Sequence, residues 1–277
     1  MLQIFFLDID DCLIETSRLG KEELRVLRSA LERLNIPHPE KITAEFEKSF
    51  HRLYDLHQEK QLSAPQQEEL EKYLSRVYEL QAEIITKWGQ VKKWSRECFI
   101  FIAAEKSGVK LNSQQTATCA ENLWKSIGGH TPFYRDAKRF LHKLITRKIP
   151  FYLISSSDCR LKYNDEKKLF EYVPEYSRNL KLKRLKKLTG LDIPEENIFL
   201  GDPYDKPDPW VFRQALAKAK KDNPGIFYSV MIGDSPKNDL EPAEKIGMDE
   251  LIWINRHKKA ISASKFKTVA GFDEISV

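Results

Sequence analysis

Residues 4–13, IFFLDIDDCL, constrain this chain more than any other stretch. Ile4, Phe5, Phe6 and Leu7 form a short apolar run of the kind that makes a buried strand. The run ends in Asp8, Ile9, Asp10 and Asp11, so a strand leaving a core delivers carboxylates two residues apart. Such a strand ends at the carboxyl edge of a sheet, where open α/β sheets bind their ligands. If the strand continued, its period of two would put Asp8 and Asp10 on one side. A strand followed by an acidic, solvated turn is the plainer alternative, and these ten residues alone leave both open.

Three later runs repeat the pattern: FYLISSSD at 151–158, NIFLGDPYDKPDP at 197–209 and YSVMIGDSPKND at 228–239. Taken in order, the four clusters supply a carboxylate pair, a group of hydroxyls, a lysine and a second carboxylate cluster. In that order and at these spacings they resemble the haloacid dehalogenase superfamily, most of whose members are phosphohydrolases. Any one motif is weak; four in sequence are specific. The resemblance covers residues 1–14 and about 131–277. It implies an α/β fold: a Rossmann-like parallel-sheet core with a large all-helical cap domain inserted after the first strand.

The intervening chain agrees with an insertion. From about 20 to 126 the apolar residues recur at helical spacing, as in Leu24, Leu27, Leu31 and Leu34. Ser63-Ala-Pro-Gln66 reads as a capping box with an early proline. A long amphipathic helix is predicted through Leu70, Tyr73, Leu74, Val77, Leu80, Ile84 and Trp88. These stripes read as helix–helix packing rather than as a cofactor box. Ile127-Gly128-Gly129-His130-Thr131-Pro132 is expected to break the helical run. Strands at about 151–155, 197–201, 227–233 and 250–254 then alternate with helices, as in parallel βαβ units. The expected domains are a discontinuous α/β core, 1–14 with 131–277, and a helical cap, 15–130. Gly128-Gly129 would serve as one hinge of a closing lid.

Composition narrows the classes. With 277 residues, 41% hydrophobic and 31% charged, the chain is an ordinary globular protein with room for two domains. A formal charge of +5 does not by itself call for nucleic acid. Cys12, Cys98, Cys119 and Cys159 are scattered without CxxC spacing, which suits free thiols in a reducing compartment. The N-terminus enters a strand without a leader, and the longest apolar run, Cys98–Ala104, is too short to span a membrane. A cytoplasmic enzyme is the expectation. Lys181–Lys187, KLKRLKK, offers a nucleic-acid patch or a solvated amphipathic helix; Leu182, Leu185 and Leu188 at helical spacing favour the helix.

The clusters also specify chemistry. Asp8 and Asp234 would meet at the sheet edge if their strands are parallel neighbours. Two carboxylates ~4 Å apart repel by ~4 kcal/mol at an effective dielectric of about 20. An all-oxygen site of this kind suits Mg²⁺. The resemblance implies that Asp8 is the nucleophile and a metal ligand, and that Asp10 is the general acid/base, its backbone carbonyl a further ligand. It matches Asp234 to the remaining protein ligand and Asp239 to an outer or water-mediated one. Ser155 would hydrogen-bond the phosphate, helped by backbone N–H groups near Ser156; a slip of one along the serines stays open. Lys206, 51 positions after Ser155, would balance Asp8 and hold the phosphoryl group. Cys12 stands where the family usually has Thr and reads as a small buried filler. The implied activity is a Mg²⁺-dependent phosphohydrolase acting on a small phosphorylated metabolite through an aspartyl-phosphate. A phosphomutase and a catalytically silent partner-binding protein are the alternatives. The dehalogenase branch is disfavoured because it lacks the second aspartate. Neither nucleic acid nor a membrane is expected as a partner.

Overall fold

Alternation along the first strand decides the layering. The computed structural model describes residues 1–16, 20–58, 62–130, 132–189, 193–256 and 265–277. Among them lie eight strands: β1 (Leu2–Asp8), β2 (Phe151–Ser156), β3 (Leu161–Asn164), β4 (Leu169–Tyr172), β5 (Ile198–Gly201), β6 (Phe227–Gly233), β7 (Glu250–Ile254) and β8 (Lys267–Val269). Six form one sheet in the order β5-β2-β1-β6-β7-β8, every neighbouring pair parallel. In β1, Ile4 and Phe6 join one apolar cluster with Tyr152, Phe212 and Met231. Phe5 and Leu7 join another with Phe140, Leu141, Leu153 and Ile232. A strand covered on both faces must be apolar throughout, which is why IFFL does not alternate with polar residues.

The chain divides into two units, one of Met1–Ser17, Thr131–Ser157 and Lys181–Val277, the other of Arg18–His130 and Asp158–Leu180. The first holds the six-stranded sheet, flanked by the helices Arg135–Thr146, Trp210–Asp222 and Glu241–Lys245. The four predicted strands after 150 are all present; β8, three residues long, gave no usable pattern.

The second unit is built from helices and one hairpin. Its centre is the helix Arg96–Lys106, buried from Glu97 through Ala104. The Ser63 capping box forms, with the Ser63 N–H donating to Gln66 Oε1 at 2.9 Å. The single helix predicted through 70–88 is instead two, Ala64–Leu80 and Ala82–Trp88. They part at Gln81, whose buried amide donates to the Lys92 carbonyl at 3.1 Å and accepts from the Lys92 N–H at 2.8 Å. A side chain saturating a distant backbone in this way holds the break open to that segment. The expected break at Gly128-Gly129 is absent: the helix Ser113–His130 runs through both glycines, so they are not a loop hinge. Helix-interior glycine costs only about 1 kcal/mol, which the flanking buried Leu123, Trp124 and Ile127 offset.

A further difference concerns residues 158–180, assigned from sequence to the α/β core but counted with the helical unit. β3 and β4 pair antiparallel there. Leu161 and Phe170 enter the helical unit's core, and the Phe101 ring lies 4.3 Å from Tyr163 and 5.8 Å from Phe170. Arg160, 1% exposed, is ionically paired with Glu97 and, at 2.7 Å, with Glu121. No helix among the described residues is long and apolar enough to cross a membrane.

Candidate active site

Parallel register brings the motif residues to one edge of the sheet. Asp8 pairs with Ile154 and Leu7 with Ile232, so Asp8, Ser155 and Asp234 emerge beside one another where β1, β2 and β6 end. Lys206 follows β5, next to β2. Its side chain is 3% exposed, and its Nζ donates to Asp8 Oδ1 at 2.6 Å, Asp239 Oδ1 at 2.7 Å and the Ile154 carbonyl at 2.9 Å.

Asp8, Asp234 and Asp239 each turn an oxygen to a common locus, the three atoms lying within 4.8 Å of one another. Asp239 sits in a short π-helical turn, Pro236–Leu240, and its Oδ2 accepts the Ser235 N–H at 3.0 Å. Gly233 makes room for it: a Cβ there would stand 2.5 Å from Asp239 Cβ. Asp8 Oδ2 is buried and has no hydrogen-bond partner. Burial first, then the charge of Asp239, push the Asp8 carboxyl up to about 8, against the opposing pull of Lys206. Burial works against the Lys206 charge, yet Asp239 and Asp8 hold that ammonium above the ordinary lysine range. A buried, unpartnered carboxylate oxygen among three converging carboxylates fits an oxygen-liganded divalent cation.

Asp10 is held apart from this cluster. The backbone after β1 curls tightly, with the Leu13 and Ile14 N–H groups both bonded to the Ile9 carbonyl and Asp11 at φ 59°. Asp10 Oδ1 accepts from Thr16 Oγ1 at 3.0 Å; Oδ2 accepts from Ser155 Oγ at 3.1 Å and Lys181 Nζ at 2.5 Å. Ser155 is fully buried and also reaches the Ser156 carbonyl at 3.2 Å. Ser156 is half-buried at the end of β2. Ser157 leads elsewhere: its N–H and hydroxyl both bond Asp205, at 2.7 and 3.2 Å.

Cys12 is fully buried, its Sγ facing the Ile232 carbonyl at 3.9 Å. Burial, then the charges of Asp8, Asp234 and Asp239, raise its thiol well above the ordinary range, which suits a filler and not a nucleophile. Arg256 pins the same loop, donating to the Cys12 carbonyl at 3.1 Å and Asp136 at 2.9 Å and stacking 3.8 Å from the Tyr134 ring.

Four of these residues escaped the sequence reading: Thr16, Lys181, Asp205 and Arg256. Asp205 could have been suspected, since it adjoins Lys206. Lys181 was read within a solvated basic helix. The helix is there, Pro174–Thr189, and Lys183 and Lys186 are exposed, but Lys181 is 1% exposed.

Comparison with known proteins bears on the family and the fold. A family profile described as haloacid dehalogenase-like hydrolase matches residues 2–247. No curated protein sequence matches. Among solved structures, the chain is similar to the HAD-hydrolase YfnB from Bacillus subtilis bound to magnesium, with a TM-score of 0.58, 15% identity and 99% and 96% of the two chains covered. It is also similar to a 2-haloacid dehalogenase from Pseudomonas syringae pv. Tomato DC3000, with a TM-score of 0.53, 19% identity and coverage of 98% and 95%. A HAD phosphatase from Thermococcus onnurineus gives a TM-score of 0.53, 19% identity and coverage of 99% and 95%. With a profile match that runs through all four motifs and most of its length, this chain belongs to the haloacid dehalogenase-like hydrolases.

Proposed function

We propose that this hydrolase is a Mg²⁺-dependent phosphohydrolase acting on a small phosphorylated metabolite. The observation that carries the reading is the buried, unpartnered Oδ2 of Asp8 beside Asp234 and Asp239. The presence of Asp10, absent from the dehalogenase branch, supports phosphate-ester chemistry over halide displacement. Asp8, Asp234, Asp239 and the Asp10 backbone carbonyl would hold the ion. When bound, Mg²⁺ supplies charge neutralisation for an incoming phosphate.

The chain's own residues do the rest. An Asp8 carboxylate oxygen attacks phosphorus as the bond from phosphorus to the ester oxygen breaks. The departing alkoxide takes a proton from Asp10, leaving an aspartyl-phosphate on Asp8 and an ionised Asp10. Water then loses its proton to Asp10 and attacks the same phosphorus, releasing phosphate and restoring both aspartates. Lys206 keeps the Asp8 oxygen aimed and offsets charge developing on the phosphoryl oxygens. Ser155 Oγ, at the end of β2, donates to Asp10 and would turn to an incoming phosphate only by giving up that bond.

The test is hydrolysis of an aryl phosphate with and without Mg²⁺, followed by a panel of phosphorylated metabolites, with 2-chloropropionate as the halide control. Mg²⁺-dependent phosphate release is expected. Chloride release without phosphate release would overturn the reading, and phosphoryl transfer between positions of a sugar phosphate would convert it to a mutase.

A further inference from the structure

We propose that Lys181 is a positioning residue for Asp10, an assignment that rests on the phosphohydrolase reading. Lys181 is carried on the helix Pro174–Thr189, and one turn further on Leu185 is buried in the apolar cluster under the sheet. Residues four apart share a helix face, so anchoring Leu185 turns Lys181 inward as well. A buried ammonium is strongly unfavourable unless it is paired. Here it meets Asp10 Oδ2 at 2.5 Å, on the oxygen that Ser155 Oγ also reaches at 3.1 Å. Thr16 Oγ1 holds the opposite oxygen at 3.0 Å. The carboxylate is thus gripped at both ends, by a loop, a strand end and a helix. Rotation of its side chain would break at least one of these bonds. Of the three donors, two hydroxyls and one ammonium, only Lys181 is itself charged, so its bond to the carboxylate is the strongest grip. The two lysines divide the work: Lys206 attends Asp8 and Asp239, Lys181 attends Asp10.

An acid that is well aimed matters in proportion to how badly the leaving group needs a proton. The experiment measures kcat/KM for phosphate esters with leaving groups of rising pKa, from p-nitrophenyl phosphate to an alkyl phosphate. kcat/KM reports the steps through release of the alcohol, where Asp10 acts as acid. Lys181→Met should lower the alkyl ester value by about 10²-fold while changing the p-nitrophenyl value by less than about threefold. In an Asp10→Asn background the same substitution should cause no further loss, because Lys181 acts through that carboxylate. Lys181→Gln, which keeps a donor, should fall between wild type and Lys181→Met, and it replaces the latter if thermal unfolding shows that variant misfolded. Equal loss on all esters, or additional loss in the Asp10→Asn background, would overturn the assignment in favour of direct phosphate binding or a purely structural role. A wild type inactive on every phosphate ester would overturn the underlying reading as well; an active wild type whose leaving-group dependence ignores residue 181 would overturn this assignment alone.

Discussion

The two units each bury charge, one around a guanidinium and the other around converging carboxylates. In the helical unit Arg160 and Glu97, 1% and 2% exposed, are ionically paired. The guanidinium also bonds Glu121 and the Tyr176 hydroxyl, and the Tyr176 ring stands 4.4 Å from it. In the α/β unit Asp8, Asp234 and Asp239 converge, Lys206 pairs with Asp8 and Asp239, and Lys181 pairs with Asp10. One Asp8 oxygen and one Arg160 nitrogen, Nη1, have no hydrogen-bond partner. A buried ion pair fixes where elements sit; converging carboxylates favour a proton or a cation among them. The first cluster explains why residues 158–180 join the helical unit. The second marks the candidate site.

Asp8→Asn tests the contrast most severely. Turnover should fall by about 10⁴-fold or more, as when a nucleophile is removed. Stability should move the other way. Because the folded-state value of about 8 exceeds the ordinary aspartate value of 3.8, the native state holds the extra proton between those limits. The unfolded chain then binds fewer protons, so wild-type stability falls as pH rises through that window. Without divalent cations, unfolding curves between pH 4 and pH 8 should show this decline in wild type and lose it in Asp8→Asn. Equal slopes in both proteins would mean that Asp8 is not destabilised by its surroundings.

Arg160→Met probes the guanidinium cluster. It leaves Glu97 buried and uncompensated, and should cost about 3–5 kcal/mol, read as a drop in the denaturant midpoint. Removing both partners, as Arg160→Met with Glu97→Leu, should recover most of that loss. An unchanged midpoint in the single variant would place Arg160 with the dispensable ion pairs of the surface and undo the contrast.

Gly233→Ala falls between the two behaviours. Its Cβ would come within 2.6 Å of the Asp239 carboxyl carbon, so that side chain must shift. We expect a loss of about 1–3 kcal/mol from overpacking. Displacing a carboxylate of the cluster should also lower turnover by about 10²-fold. Normal turnover would show that Asp239 need not hold its position.

The sequence disclosed the two clusters unequally. Four apolar runs ending in polar residues were readable because a parallel strand buried on both faces leaves an unbroken apolar signature, and its end is abrupt. LKYN and LFEY carry no such signature: β3 and β4 are short, mixed in polarity and antiparallel. Arg160 and Lys181 were invisible for a different reason. A basic residue is read as solvated unless its partner is known, and Glu97 and Asp10 lie 63 and 171 positions away. The glycine pair at 128–129 misled because local propensity there yields to the helix that runs through it. Asp8 and Asp234 were expected to meet at one edge if their strands were parallel neighbours, and β1 and β6 are such neighbours.

The smallest expected effect concerns Cys12, which lies in the motif loop yet belongs with neither cluster. Its thiol is fully buried, and burial reinforced by three neighbouring carboxylates keeps it protonated. Reaction with alkylating agents requires the thiolate, so iodoacetamide at neutral pH should leave residue 12 unmodified and turnover intact in the folded protein. Intact-mass measurement followed by peptide mapping would show this. Thr is close to Cys in size and donates a hydrogen bond more strongly. In Cys12→Thr the hydroxyl would find the Ile232 carbonyl that Sγ now faces at 3.9 Å. Turnover should stay within about threefold and stability within about 1 kcal/mol. The loop is held mainly by its own backbone bonds and by Arg256 on the Cys12 carbonyl, and neither depends on the side chain at 12. Arg256→Met should therefore disturb the loop more than any change at Cys12. The reverse order, with Cys12→Thr inactive and Arg256→Met unaffected, would mean that the thiol itself takes part in the chemistry.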